Sequence, residues 1–162
     1  MTAARRGDRS KTLATWLAVL GGSLGLHRFY LHGFGDRWGW LLWLPTLVGA
    51  YGVQRMRALG QDDQLAWVLI PLLGLAIAAT MLAAIIYGLM PADQWNARFN
   101  RGGTARSVPW LNVLGAVAAL AFGATALLAS LAFMAQRYFE HAAEQRTAPA
   151  AAVHSNSQRL AP

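Results

Sequence analysis

The sequence predicts an all-α integral membrane protein with four transmembrane helices, of which the first two form a short hairpin. The chain has 162 residues, of which 56% are hydrophobic and only 13% are charged, about half the charged share of an ordinary soluble domain. Arginine and lysine gather at the ends of the apolar runs, as the anchoring charges of membrane proteins do. The runs without any charged residue are 12–26, 38–54, 65–92 and 107–136.

The first two runs are predicted to form a hairpin over residues 12–58, which follows a basic cytoplasmic tail at 1–11. The helices should run from about Thr12 to Leu26 and from about Trp38 to Val53. Both are shorter than the roughly 20 residues that match a hydrocarbon core of about 30 Å. We expect a kink at Pro45, because proline lacks the backbone donor and clashes with the carbonyl one turn earlier.

The second half of the chain is predicted to contain two longer spans. The third helix should cover residues 65–90, and Pro91 should end it. A polar loop is expected at 91–109, because this segment is rich in charged and amide side chains and has a glycine pair. The fourth helix should cover 110–136, and the tail at 137–162 should end in disorder, since its last residues have little apolar bulk.

Small residues recur at a spacing of four in the predicted helices, and this pattern lets helix backbones approach closely in lipid. The alternative is that small residues are simply common in this composition. We predict a packing role for Gly21, Gly22 and Gly25 in the first helix, for Ala76, Thr80, Ala84 and Gly88 in the third, and for Gly115, Ala119 and Gly123 in the fourth.

The distribution of basic residues predicts the orientation. In a four-helix topology, nine of the 14 lysines and arginines fall on the side that holds both tails. The positive-inside rule then predicts that both termini are cytoplasmic. The chain contains no cysteine, which excludes disulfides and zinc–thiolate sites and suits a bacterial inner membrane.

A basic and aromatic segment separates the first two apolar runs. In the stretch KTLATWLAVLGGSLGLHRFYLHGFGD, the first apolar run ends in a glycine-rich segment, and His27, Arg28, Phe29 and Tyr30 follow it. With the second apolar run after it, this stretch resembles the TM-two domain family over residues 11–58, about a third of the chain. The resemblance implies a pair of short transmembrane helices joined by a tight loop that carries the motif.

Two interpretations of this motif remain open. In one, it is an ordinary connection, in which Arg28 snorkels to phosphates or caps the end of the first helix and Phe29 and Tyr30 join the interfacial aromatic belt. In the other, His27, Arg28, Phe29 and Tyr30 bind a lipid headgroup or a partner helix.

No constellation of residues indicates catalysis. The sequence has no nucleophile motif, phosphate-binding loop or HExxH pair, so we expect no enzyme activity, no metal and no cofactor. The basic residues do not cluster as in a nucleic-acid site. The expected partners are membrane lipids, other membrane proteins or a second copy of the chain. An interaction or scaffold role is favoured, and a small transporter or lipid-binding protein is the alternative.

Overall fold

The computed structural model describes residues 9–60, 63–100 and 107–159, with side chains up to Arg146 except at position 144. Within these ranges the chain is helical and contains no β-strand. The helices are α1 (Lys11–Gly21), α2 (Leu26–His32), α3 (Arg37–Leu41), α4 (Trp43–Leu59), α5 (Gln64–Leu89), α6 (Ala92–Phe99) and α7 (Pro109–Arg159), with a 3₁₀ turn at Gly22–Leu24 between α1 and α2.

Helix α5 lies at the centre of the bundle, and α1, α4 and α7 all pack against it. Its contact faces carry small residues, so the neighbouring backbones come close to it. In the described part of the chain, two helices are long and apolar enough to cross a membrane, Gln64–Leu89 and Pro109–Ala143. The structure therefore confirms an all-helical fold with two candidate spans, but not the predicted count of four.

Helix α1 runs antiparallel to α5 and covers only its C-terminal half. At the start of α1, the Lys11 Nζ donates a hydrogen bond to the Met90 carbonyl oxygen. Further along, Ala18 packs against Met81 and Ala84. At the end of α1, Gly22 faces Thr80, where an added Cβ would lie 2.8 Å from the Thr80 Cβ. The 11 residues of α1 span only about 16 Å.

The first helix begins within one residue of the predicted start, but its end was predicted too late, because α1 ends at Gly21 rather than at Leu26. The 3₁₀ turn follows, and Gly25 then adopts a φ of 71°. Only glycine enters this left-handed region without steric cost, so the chain reverses here. The predicted loop motif is itself helical, since His27 to Tyr30 lie in α2.

The second predicted helix is divided, and its end was placed too early. Helix α3 ends at Leu41 and α4 begins at Trp43, so Pro45 lies in the first turn of α4, where its missing N–H is not needed. The expected kink is thus a break between two helices. Helix α4 continues to Leu59, and its Gly49 and Gly52 are buried against α5.

Two predictions for the later part of the chain also need correction. The predicted polar loop at 91–109 contains α6, which forms because Trp95 is completely buried and anchors it. Residues 101–106 lie outside the described ranges. Helix α7 continues to Arg159, beyond the point where disorder was predicted, and alanine, a strong helix former, is frequent in this stretch.

The two ends of the bundle can be identified from contacts along α5. The start of α1 lies at the C-terminal end of α5, beside Met90. Arg137 of α7 instead lies over the ring of Trp67, at the N-terminal end of α5, at a distance of 5.2 Å. The structure thus places the start of α1 and the Arg137 region at opposite ends of α5, whereas the sequence predicted both tails on one side.

Candidate functional site

The basic and aromatic segment is the seven-residue helix α2, which alternates between buried and partly exposed positions. His27, Phe29 and Leu31 are buried, while Arg28 and Tyr30 are half-buried. The N–H groups of Arg28 and Phe29 both donate to the Gly25 carbonyl oxygen, so the turn at Gly25 begins the helix. The structure brings the predicted site residues together on one short element, but it directs them to different partners.

Arg28 is paired with an acid that follows α2. Its Nε donates to Asp36 Oδ2 at 2.6 Å, and the two side chains are 28% and 11% exposed. The other Asp36 oxygen accepts from the Trp38 N–H at 3.3 Å and caps α3. The hydrogen bond from Arg28 is the main cause that lowers the pKa of Asp36. Of the roles considered for Arg28, capping of the first helix is not seen, since its guanidinium holds Asp36.

Phe29 lies inside an aromatic cluster formed by α2, α3 and the loop between them. Its ring stacks on Phe34 at a centroid distance of 5.5 Å and is tilted against Trp40 at 5.2 Å. Gly39 contacts the same ring, and an added Cβ there would lie 2.6 Å from it. Phe29 is 9% exposed, so its ring packs α2 against α3.

Tyr30 joins α2 to the beginning of α1. Its hydroxyl accepts a hydrogen bond from the Ser10 N–H at 2.8 Å, and the Arg9 guanidinium lies 5.3 Å from the ring centre. The backbone of Arg9 is held in turn by α6 and its C-cap. The Trp95 Nε1 and the Asn100 Nδ2 each donate to the Arg9 carbonyl oxygen at 3.0 Å.

His27 is the most deeply buried polar residue of the segment. It is 2% exposed, and its ring lies 5.8 Å from the ring of Tyr87 in α5. Its Nδ1 has no hydrogen-bond partner among the residues that the structure describes. Because the ring is enclosed by the bundle, the ring nitrogens of His27 are not accessible from the surroundings of the protein.

The ten residues with a predicted packing role are all buried, and they mark two kinds of contact. Gly25 lies against the Gly39 carbonyl oxygen, which joins the turn to α3. Gly22 instead faces α5, and Gly115 of α7 faces Thr15 of α1. The glycines of the first helix therefore do not simply press the two helices of the hairpin together, because α1 and α4 each pack chiefly against α5.

Sequence reasoning missed two contributions to this region. Asp36 was not recognised as the partner of Arg28, although an aspartate just before Arg-Trp is typical of a helix N-cap. Trp95 was placed in a loop, although Trp95 and Phe99 are four residues apart and could form one helical face. Among the described residues, no group of three acidic, histidine or cysteine side chains is placed to hold a metal ion.

Comparison with known protein families gives one match, and it falls on the region just described. The model of the TM2 domain matches residues 7–56, which include α1, α2, α3 and most of α4. Comparisons with curated proteins and with solved structures give no match. The resemblance seen in the sequence is therefore confirmed over residues 7–56, which match the TM2 domain, while the rest of the chain is unmatched.

Proposed function

We propose that this TM2-domain protein is a multi-pass component of the bacterial inner membrane with a non-catalytic interaction or scaffold role. The TM2 domain and the two long apolar helices support the membrane location. The absence of cysteine in the sequence is compatible with a bacterial origin. The absence of any catalytic motif in the sequence supports a role without chemistry.

The observation that carries this proposal is the contrast between the inside and the outside of the bundle. The polar groups of α2 are mostly used internally, Arg28 by Asp36 and Tyr30 by Ser10. The outward face of α7 is instead apolar, with Leu120, Phe122 and Leu128 each more than 60% exposed. A helix of this kind meets lipid or another membrane helix, and its partners define the role.

Photo-crosslinking in native membranes tests the proposal. A photoreactive amino acid is placed at Leu120 or Leu128 on α7, and a matched probe is placed at Leu44 on α4, which is equally exposed. A scaffold role predicts a discrete protein adduct, or a dimer of this chain, from at least one face. Adducts with lipid alone at all three positions would contradict it.

Lipid binding is the second candidate, and one cleft favours it. An open cleft of about 530 Å³ lies along α4, and its lining includes the apolar Leu47, Val53 and Leu73 and the polar Gln54 and Arg57. An acyl chain fits the apolar part, and an anionic headgroup fits the guanidinium. Co-purified phospholipid that is lost in Arg57→Ala and kept in Arg98→Ala would support this second role.

A further inference from the structure

We propose that α1 and α2 form a re-entrant hairpin, which enters the bilayer and leaves it on the same side. The chain then crosses the membrane three times, through α3 and α4 together, through α5 and through α7. This arrangement rests on the proposed membrane location, and it replaces a topology in which α1 crosses the bilayer.

The entry of α1 into the bilayer is inferred from the residues of α5 that lie beside its two ends. Lys11 lies beside Met90, and Gly22 lies beside Thr80. Thr80 is nine residues from Leu89 and 16 from Gln64, or about 13 Å and about 24 Å along the helix. A hydrocarbon core about 30 Å thick, centred on α5, begins about 4 Å from Leu89, so a turn at the level of Thr80 lies about 9 Å inside the core and about 21 Å from its far boundary.

The return path of α2 follows from contacts with the start of α1 and with α6. The Tyr30 hydroxyl reaches the Ser10 N–H, and Leu31 packs against Ala14 and Trp95. The ring of His32 lies 6.2 Å from Phe99. The end of α2 is therefore level with the beginning of α1, and both lie at the C-terminal end of α5.

The backbone at the turn is satisfied in the way that a position inside lipid requires. Irregular backbone is tolerated at membrane depth only where protein groups meet its hydrogen-bonding needs. The Thr46 hydroxyl donates to the Ser23 carbonyl oxygen at 2.8 Å, and the Trp43 Nε1 donates to the Leu24 carbonyl oxygen at 2.7 Å. Two side chains of α4 thus cover two carbonyl oxygens of the 3₁₀ turn at the reversal.

The segment that follows α2 has the length and the path of a true crossing. Residues 37–59 extend over about 33 Å if helical throughout. The crossing begins beside Phe29, where Gly39 contacts the ring, and passes Leu73 at Gly49. It ends near the start of α5, where the Arg55 Nε pairs with Asp63 Oδ2 at 2.8 Å. Helices α3 and α4 therefore reach the opposite end of the bundle.

The orientation follows from the basic residues of this arrangement. The side that holds the N-terminal tail, the α2–α3 loop and the α6 region carries nine of the 14 lysines and arginines in the sequence. The other side carries Arg55, Arg57, Arg137, Arg146 and Arg159. The positive-inside rule then places the N-terminal tail in the cytoplasm and the C-terminal end of α7 outside.

Single cysteines test this topology directly, because the natural chain contains none. The variants Thr2→Cys, Gly35→Cys and Ala58→Cys are made one at a time in the full chain, and Gln145→Cys reports the C-terminal side. Gly35 has no atom within 4 Å of an added Cβ, and Ala58 and Gln145 are exposed. Intact spheroplasts and inside-out vesicles are treated with a membrane-impermeant maleimide.

The re-entrant hairpin predicts that Thr2→Cys and Gly35→Cys react from the cytoplasmic side, while Ala58→Cys and Gln145→Cys react from the other. Reaction of Thr2→Cys and Gly35→Cys from opposite sides would mean that α1 crosses the bilayer, and it would overturn the inference. A chain that does not sediment with membranes would instead overturn the proposed location, so the two failures are distinguishable. A variant that fails to accumulate is replaced by a neighbouring position, Gly35→Cys by Phe34→Cys and Ala58→Cys by Leu59→Cys.

Discussion

Replacing Thr46 with valine removes the hydroxyl that covers the Ser23 carbonyl oxygen at the turn between α1 and α2. Valine has nearly the same shape, so the change mainly deletes one hydrogen bond of 2.8 Å between α4 and the turn. The carbonyl oxygen then remains in surroundings that we infer to be lipid and protein. We expect the hairpin to loosen and the protein to lose stability.

The size of the effect can be worked out from the contacts of Thr46. A buried polar group left without its partner costs about 1–3 kcal/mol, whereas interhelical hydrogen bonds in membranes average about 0.6 kcal/mol and reach about 1.7. A loss of about 1–2 kcal/mol is therefore expected for this bond. For a chain of this length it corresponds to a decrease in Tm of roughly 3–6 °C.

The assay is thermal unfolding of the purified full chain in detergent, with Thr125→Val as the matched control. Thr125 makes the same bond to the carbonyl four residues earlier, with its hydroxyl oxygen 2.8 Å from the Ala121 oxygen. The single hydroxyl proton of Thr46 is shared between the Leu42 carbonyl oxygen at 3.0 Å and the Ser23 carbonyl oxygen, so the two variants differ in the contact with Ser23. Equal Tm values for Thr46→Val and Thr125→Val would refute the reasoning.

The other predictions concern the turn, the ion pair and α6. Gly25→Ala should lower the Tm in the same assay, because Gly25 has a positive φ and an added Cβ would press on the Gly39 carbonyl oxygen; a Tm equal to that of the wild type would mean that the turn does not depend on this close approach. Arg28→Lys should lower the Tm less than Arg28→Ala, because lysine keeps a positive charge opposite Asp36 but loses the planar guanidinium and its fixed donors. Identical melting of both variants and the wild type would mean that Arg28 contributes only to the orientation of the chain in the membrane. The pKa of Asp36 is lowered in the folded protein, so the stabilisation from its ionised form is complete above the ordinary pKa of about 3.9 and is lost as the pH falls through the lower pKa of the folded state. The Tm measured from pH 7 to pH 3 should therefore fall more steeply for the wild type than for Asp36→Asn. Parallel curves would count against a stabilising pair of Arg28 and Asp36. Trp95→Ala should expose α6 to proteolysis and cost about 3–5 kcal/mol, while Trp110→Ala, at a site that is 65% exposed, should do neither; equal protease resistance would show that α6 does not depend on its anchor.

The sequence was sufficient to predict the helical class and the long apolar helix at 65–90, which the structure places at Gln64–Leu89. Charge-free length is a strong signal, because lipid tolerates few charges along a span. The TM2 resemblance was also visible in the residues from Gly21 to Leu31. These features depend on local composition and on a contiguous motif, so one sequence contains them in full.

The path of the first hairpin could not be predicted in the same way. An apolar run of 15 residues reads equally well as a short span or as half of a re-entrant element. The choice depends on the long-range partners of the turn, such as Thr46 for the Ser23 carbonyl, and on the left-handed φ of Gly25. The pairing of Arg28 with Asp36 likewise depends on how the loop after α2 folds.

The depth of Leu26 in the bilayer tests the account most directly. Leu26 is the first residue of α2, is 41% exposed, and contacts Gly21 at the end of α1. A spin label at Leu26→Cys in liposomes is compared with labels at Leu82→Cys, two residues beyond Thr80 in α5, and Leu13→Cys, at the start of α1. The account predicts that accessibility to oxygen and to a polar nickel complex places Leu26 as deep as Leu82. A depth as shallow as that of Leu13 would mean that residue 26 has reached the far interface, and it would contradict the re-entrant hairpin.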